Sequence, residues 1–161
     1  PYQLPSQPYL FCYLLGNTLE HRDWIDEMAK KNGLYVLCMS DQKMERRFGW
    51  THLKYVGPRE FLGYLDRAAF VVTDSFHGMA LSINLNKDFY VLERFKASDA
   101  ICQNSRIMNV LDAFSIQDRL LKRAYTSLNK VDWVSVNAKV CIEKKRSQEM
   151  LASMLQHGCE E

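Results

Sequence analysis

The stretch from Phe70 to Ile83 narrows the possible folds of this chain more than any other. Its first half, Phe70-Val71-Val72-Thr73, is a short β-branched apolar run, the pattern of a strand buried on both faces. Its second half has helical spacing from Phe76 onward, with Met79, Ala80 and Ile83 on one face. Only Asp74 and Ser75 separate the two. Either can serve as N-cap, which puts His77 in the first turn of the helix, where backbone N–H groups have no intrahelical partner. A buried strand that runs straight into a helix is the unit of a parallel α/β sheet, and such sheets bind ligands beyond the carboxyl ends of their strands. A histidine beside open amides at that place points to an anion-binding or reacting site.

The flanking sequence supplies more of the same unit. Tyr9 to Leu15 is a continuous apolar run closed by Gly16-Asn17 and reads as a central parallel strand. Thr18 caps a helix with Trp24, Ile25, Met28 and Ala29 inward and Arg22, Asp23, Glu27 and Lys30 toward water, and Gly33 ends it. Leu34 to Met39 is a second buried strand, completing a βαβ unit whose crossover is right-handed. Residues 40–55 hold Lys43, Arg46, Arg47, Trp50 and His52 without a clear period. They read as a surface loop, long enough to face a ligand. Gly57-Pro58 opens a helix with Phe61, Leu62, Leu65, Ala68 and Ala69 inward. Phe89 to Leu92 is a further strand, followed by Glu93-Arg94-Phe95-Lys96, so Arg94 stands at a carboxyl strand end. Asn104 or Ser105 caps a helix with Ile107, Val110, Leu111 and Phe114 inward. Arg106 lies in its first turn, where a cation opposes the macrodipole. Asp132 precedes a long last helix, about 133–156, with Val134, Ala138, Cys141, Leu151, Met154 and Leu155 inward.

Composition removes several classes of function. A length of 161 residues with 47% hydrophobic content suits one core. Residues 1–8, proline-rich, read as a linker, and 9–161 as a single domain cut from a longer chain. Twenty-one basic against nineteen acidic residues leave a charge of +2 with no basic stripe, which argues against nucleic acid as a partner. Five cysteines without a CxxC pair argue against both a disulfide framework and a zinc site. Cys12 and Cys38 fall in strands as small core residues, and nothing near Cys102 depresses its thiol pKa. No cofactor and no metal are expected. No apolar run reaches the roughly 18 residues of a membrane span, and the expected place is the cytoplasm, free or peripheral to the inner membrane face.

Two blocks carry a resemblance. Val56-Gly57-Pro58-Arg59-Glu60-Phe61-Leu62, followed by Ala68 to Gly78, resembles the hallmark of the polysaccharide pyruvyl transferases. Asn104-Ser105-Arg106-Ile107 and Asp118-Arg119-Leu120 are similar to the same family's downstream pattern. The resemblance covers about residues 9–156. It implies a Rossmann-like three-layer α/β domain with a mostly parallel sheet, the C-terminal half of a GT-B fold, whose N-terminal domain is absent from this chain and meets the acceptor. The implied activity is transfer of pyruvate from phosphoenolpyruvate to a pair of sugar hydroxyls as a ketal, on a saccharide acceptor that is free or lipid-linked, in exopolysaccharide biosynthesis. Within that activity His77 is the candidate acid. Arg106, with Arg94 behind it, is the candidate holder of the donor's carboxylate or phosphate. Asp74, Ser75, Asn104 and Ser105, with the amides of Ser75, Phe76 and His77, complete the expected contacts. The isolated fragment is expected to be inactive.

Met79 and Leu81 depart from the family pattern, standing where many relatives carry a small hydroxyl residue and an aromatic. Two rival readings follow. One is the donor half of a nucleotide-sugar glycosyltransferase, since one fold hosts several chemistries, although the chain has no glycine-rich phosphate loop. The other is a binding module that keeps the fold without the activity.

Overall fold

A computed structural model describes residues 4–16, 18–40, 48–93, 104–121 and 127–157. Arg94, Lys96 and Cys102 lie outside these residues. Five strands form one all-parallel sheet: β1 (Tyr9–Leu14), β2 (Tyr35–Ser40), β3 (Thr51–His52), β4 (Phe70–Thr73) and β5 (Phe89–Val91), in the order β3-β2-β1-β4-β5. Side chains alternate across the sheet as a pleat requires. Leu10, Cys12, Leu14, Val36, Cys38, Val72 and Tyr90 meet one core cluster, and Phe11, Leu37, Val71, Phe89 and Val91 meet the other.

Helices cover both faces, giving three layers of Rossmann-like form. On the first face lies α1 (Leu19–Lys31), which buries Ile25 and Ala29 there. The second face is covered by α2 (Pro58–Arg67), α3 (Phe76–Asn84), α4 (Asn104–Phe114) and the start of α5 (Trp133–His157). These bring in Leu65, Met79, Ile83, Ile107, Leu111 and Val136. Pro58 sits in the first turn of α2 with Gly57 as N-cap, as the Gly-Pro pair predicts. Chain order runs outward from β1 to β2 and β3, then returns to the other side of β1 as β4. The strand order therefore reverses between β1 and β4, and the crevice beyond their carboxyl ends is where α/β sheets of this kind bind ligands.

Several expectations need correction. Residues 40–55 are not all surface loop, because Thr51–His52 is a short edge strand and Phe48 and Trp50 are buried in the α1-side cluster with stacked rings 4.9 Å apart. A two-residue strand is too short to carry a period, so the pattern could not announce it. Arg22, expected in water, is buried. On α2, Tyr64 is buried while Leu62 is 42% exposed, and the Tyr64 carbonyl accepts the Tyr9 hydroxyl at 2.7 Å. Ala80 is only partly buried.

The largest correction is α5. Its buried residue is Val136, with Val140 partly buried, on the face opposite to Val134, which is 84% exposed. Ala138 and Cys141 are exposed, and Leu151, Met154 and Leu155 are more than half exposed. The helix of 25 residues rises about 37 Å, and residues 144–156 are exposed all round.

Candidate functional site

The site is built at the carboxyl ends of β1 and β4. The sequence leaves β4 at Thr73 and enters α3 at Phe76, with Ser75 as N-cap in extended conformation and no side-chain cap bond. Neither Asp74 nor Ser75 therefore caps the helix through its side chain. Thr73 takes part of that work: its hydroxyl donates to the Tyr13 carbonyl at 2.7 Å and accepts the Ser75 N–H at 3.1 Å. The Asp74 carboxylate is buried and reaches across the crevice, accepting the N–H of Leu15 at 2.7 Å and of Gly16 at 2.6 Å. These bonds pin the turn after β1 to the turn after β4.

The helix start supplies the donors. Because the Ser75 amide is bonded to Thr73, the expected set of Ser75, Phe76 and His77 moves one residue on. The N–H groups of Phe76, His77 and Gly78 open α3 and have no partner among the described residues, and the first helical bond runs from the Met79 N–H to the Ser75 carbonyl at 3.0 Å. Gly78 is required here by contact: a Cβ on it would lie 2.4 Å from Thr73 Oγ1. The first turn holds no acidic residue, which leaves its partial positive charge uncancelled.

His77 is exposed, facing outward from the turn. The ring of the half-buried Phe76 lies 5.9 Å from the imidazole, edge to face. Arg106 also meets Phe76, with its guanidinium carbon 5.4 Å from the Phe76 ring centre. The two candidate charges expected from the sequence thus share one aromatic neighbour, brought together by α3 and α4. The contact with Phe76 helps to hold the exposed Arg106 near the turn despite its unfavourable position in the first turn of α4. Ser105 is exposed beside it, and Asn104 begins the helix. Arg94 falls outside the described residues.

Other reactive groups are ruled into structural roles by their surroundings. Burial, and then the neighbouring Cys38, push the Cys12 thiol well above its usual value, so it stays protonated. Arg119 is buried, bonded to the Asn129 carbonyl at 2.7 Å and to Asp118, with its guanidinium 5.0 Å from the Tyr90 ring centre. Among the described residues no group of His, Cys, Asp and Glu could hold a metal ion, and no helix is long and apolar enough to cross a membrane. A groove of about 650 Å³ between α3, α4 and α5, lined by Ala80, Ile83, Val110, Phe114 and Val140, touches none of the polar groups of the turn. The turn is an open face of the crevice.

The arrangement combines three outward amides, an exposed imidazole and a guanidinium beside Phe76 at the point where strand order reverses. A family model described as polysaccharide pyruvyl transferase matches residues 12–94, just over half of the chain. The chain belongs to the polysaccharide pyruvyl transferase family. A comparison with curated proteins gives no match. The span matched by the pyruvyl transferase family contains the pinned turn, with Thr73, Asp74, Ser75, His77 and Gly78, whereas Arg106 lies beyond it. Of the residues named from the sequence, His77 and Arg106 come together at Phe76. Sequence reasoning missed Thr73 as the pin of the turn, Phe76 as the ring that both charges meet, and the reach of Asp74 to β1. The signal available was the glycine directly after His77, which marks a close approach inside a helix.

Proposed function

We propose that this chain is the donor-side part of a polysaccharide pyruvyl transferase, moving the pyruvyl group of phosphoenolpyruvate onto two hydroxyls of a sugar as a cyclic ketal. The observation that supports this most is the pairing of an exposed His77 with Arg106 beside Phe76 at the open end of α3.

In this reading the donor's phosphate or carboxylate sits on the amides of Phe76, His77 and Gly78, and Arg106 holds the other group through paired N–H donors. His77, as imidazolium, gives a proton to the methylene carbon of the enol. The C=C pair forms the new C–H bond and C2 becomes an oxocarbenium carbon. The first sugar hydroxyl attacks C2 and its proton returns to His77. The C2–O bond to phosphate then breaks, the leaving phosphate takes a proton, and the second hydroxyl closes the ketal. One hydroxyl proton has replaced the proton spent on carbon and the other leaves with phosphate, so the reaction needs no redox partner. A histidine suits both proton transfers because its ordinary pKa lies close to neutrality.

Asp74 acts through the backbone, fixing the crevice wall by its bonds to Leu15 and Gly16. Ser75, Ser105 and Asn104 are further candidate donor contacts in this reading, with Arg94 as a second anion holder. The acceptor, a free or lipid-linked saccharide, comes from the side of an N-terminal domain outside this chain, and the isolated chain is inactive in transfer. Calorimetric titration tests the donor assignment: phosphoenolpyruvate binds, Arg106→Met weakens it by roughly tenfold or more, and nucleoside diphosphates bind more weakly. Tighter binding of nucleoside diphosphate would overturn the reading in favour of a nucleotide-sugar glycosyltransferase.

A further inference from the structure

Among the described residues Arg22 is a buried charge without a counter-charge. It lies in the first turn of α1, 3% exposed, and its Nε and Nη2 have no hydrogen-bond partner. The acid best placed to pair with it is Asp26, one helical turn on. Asp26 is committed elsewhere: Oδ1 accepts the Trp50 indole N–H at 3.0 Å and Oδ2 meets Lys30 at 2.6 Å. The Asp26–Trp50 bond shows that this face of α1 looks at the segment leading into β3, where His52 and Lys54 follow as exposed residues. His52 shares its register position with Cys38, so both side chains point to the α1 side of the sheet. Burial, Arg22 and Lys54 together push the His52 imidazole below its usual pKa. A guanidinium left this way costs several kcal/mol relative to a paired one.

We propose that Arg22 and His52, at the carboxyl edge of β3 and the start of α1, form a subsite for a phosphate-class oxyanion, with Lys54 at its rim. The site is separate from the His77 turn. It lies on the opposite face of the sheet, and β3, which carries His52, stands three spacings, about 14 Å, from β4, which leads into the His77 turn. The subsite lies at the edge of the sheet, where the two-residue β3 is held to β2 by two register pairs, the bond from the Leu53 N–H to the Cys38 carbonyl and a bond between the Tyr35 and Thr51 hydroxyls, a small element of the kind that opens locally. An oxyanion there accepts from Arg22 Nε and Nη2 as a fork and from a His52 ring N–H. Its source is a phosphate on the acceptor or free phosphate, since the donor is held at the His77 turn.

Thermal unfolding of the full-length protein in inorganic phosphate, against sodium chloride at matched ionic strength, tests the subsite. In the Arg106→Met background, where the donor site is weakened, phosphate at ten times its Kd for the subsite raises Tm by about 4 °C, and adding Arg22→Met removes the rise. In the absence of phosphate Arg22→Met is expected to melt higher than the wild type, since it deletes an uncompensated charge. Arg22→Lys, which keeps charge without the fork, retains part of the rise. A shift of the Arg22 Nε–H resonance on adding phosphate to the wild type reads the same contact without any substitution. Arg22-dependent stabilisation by glucose 1-phosphate as well as by inorganic phosphate assigns the acceptor's phosphate, and by inorganic phosphate alone the free anion. A phosphate effect equal in wild type and Arg22→Met, or no effect in the wild type, overturns the subsite. If the effect depends on Arg106 alone, the subsite falls while the donor assignment stands.

Discussion

Gly78 and Thr73 hold the turn between β4 and α3 in shape by close packing. A methyl group added at position 78 would lie 2.4 Å from Thr73 Oγ1 and 3.0 Å from Thr73 Cβ, inside a turn whose hydroxyl is already bonded on two sides. Gly78→Ala is therefore expected to destabilise the protein by about 1–3 kcal/mol, read as a fall in Tm. An unchanged Tm would show that Thr73 gives way without cost. Asp74 carries a comparable load, since removing its carboxylate strands two backbone donors of the β1 turn. Asp74→Ala is expected to cost about 2–3 kcal/mol in urea unfolding, and Asp74→Asn less, because the amide oxygen can replace one acceptor. At this scale the sequence disclosed His77 and Arg106 through their positions relative to strand and helix ends. It hid Arg22, because a cation on a helical wheel reads as solvated wherever the neighbouring element has no period of its own.

At the scale of the element, four of the five strands and the first three helices are legible, because each pairs an apolar run or a stripe with a boundary signal such as Gly33 or Gly57-Pro58, whereas the two-residue β3 has none. Helix α5 was legible in length and illegible in phase. Val134, Ala138 and Cys141 make as good a stripe as Val136, Val140 and Glu143, and only contact with α3 and α4 decides between them. Its start is set by Asp132, whose Oδ1 accepts the N–H of Val134 and Ser135 and whose Oδ2 accepts the Ser135 hydroxyl. The Ser135 hydroxyl and N–H bonds hold the Asp132 carboxyl below the usual carboxylate value. A group whose folded pKa is depressed stabilises the fold above its unfolded pKa and loses that contribution as pH falls through the folded one. Acidification below about pH 4 is therefore expected to fray the start of α5, seen as a loss of helical circular dichroism. Asp132→Asn removes that pH dependence. An acid transition that is the same in both proteins would place the cause elsewhere.

The whole molecule turns a local motif into a site through the order of its strands. Placing β4 beside β1 brings the Leu15 and Gly16 amides to Asp74, opens the crevice where strand order reverses, and lets α4 carry Arg106 back over Phe76. None of this is contained in the Thr73–Gly78 turn alone. The sequence made the α/β class readable through its alternation of elements, but the return of β4 to the far side of β1 is a matter of packing that no single segment records. The account accordingly predicts a split between its two charges: Arg106→Met raises the KM for phosphoenolpyruvate with little change in kcat, whereas loss of His77 strikes kcat. The most direct measurement is ketal formation by the full-length enzyme in deuterium oxide, wild type against His77→Ala, following deuterium at the pyruvyl methyl group and phosphate release together. The expected result is one solvent-derived deuteron per transfer in the wild type and a fall in kcat of roughly a hundredfold or more in His77→Ala, with donor affinity retained. Transfer at the wild-type rate by His77→Ala would contradict it.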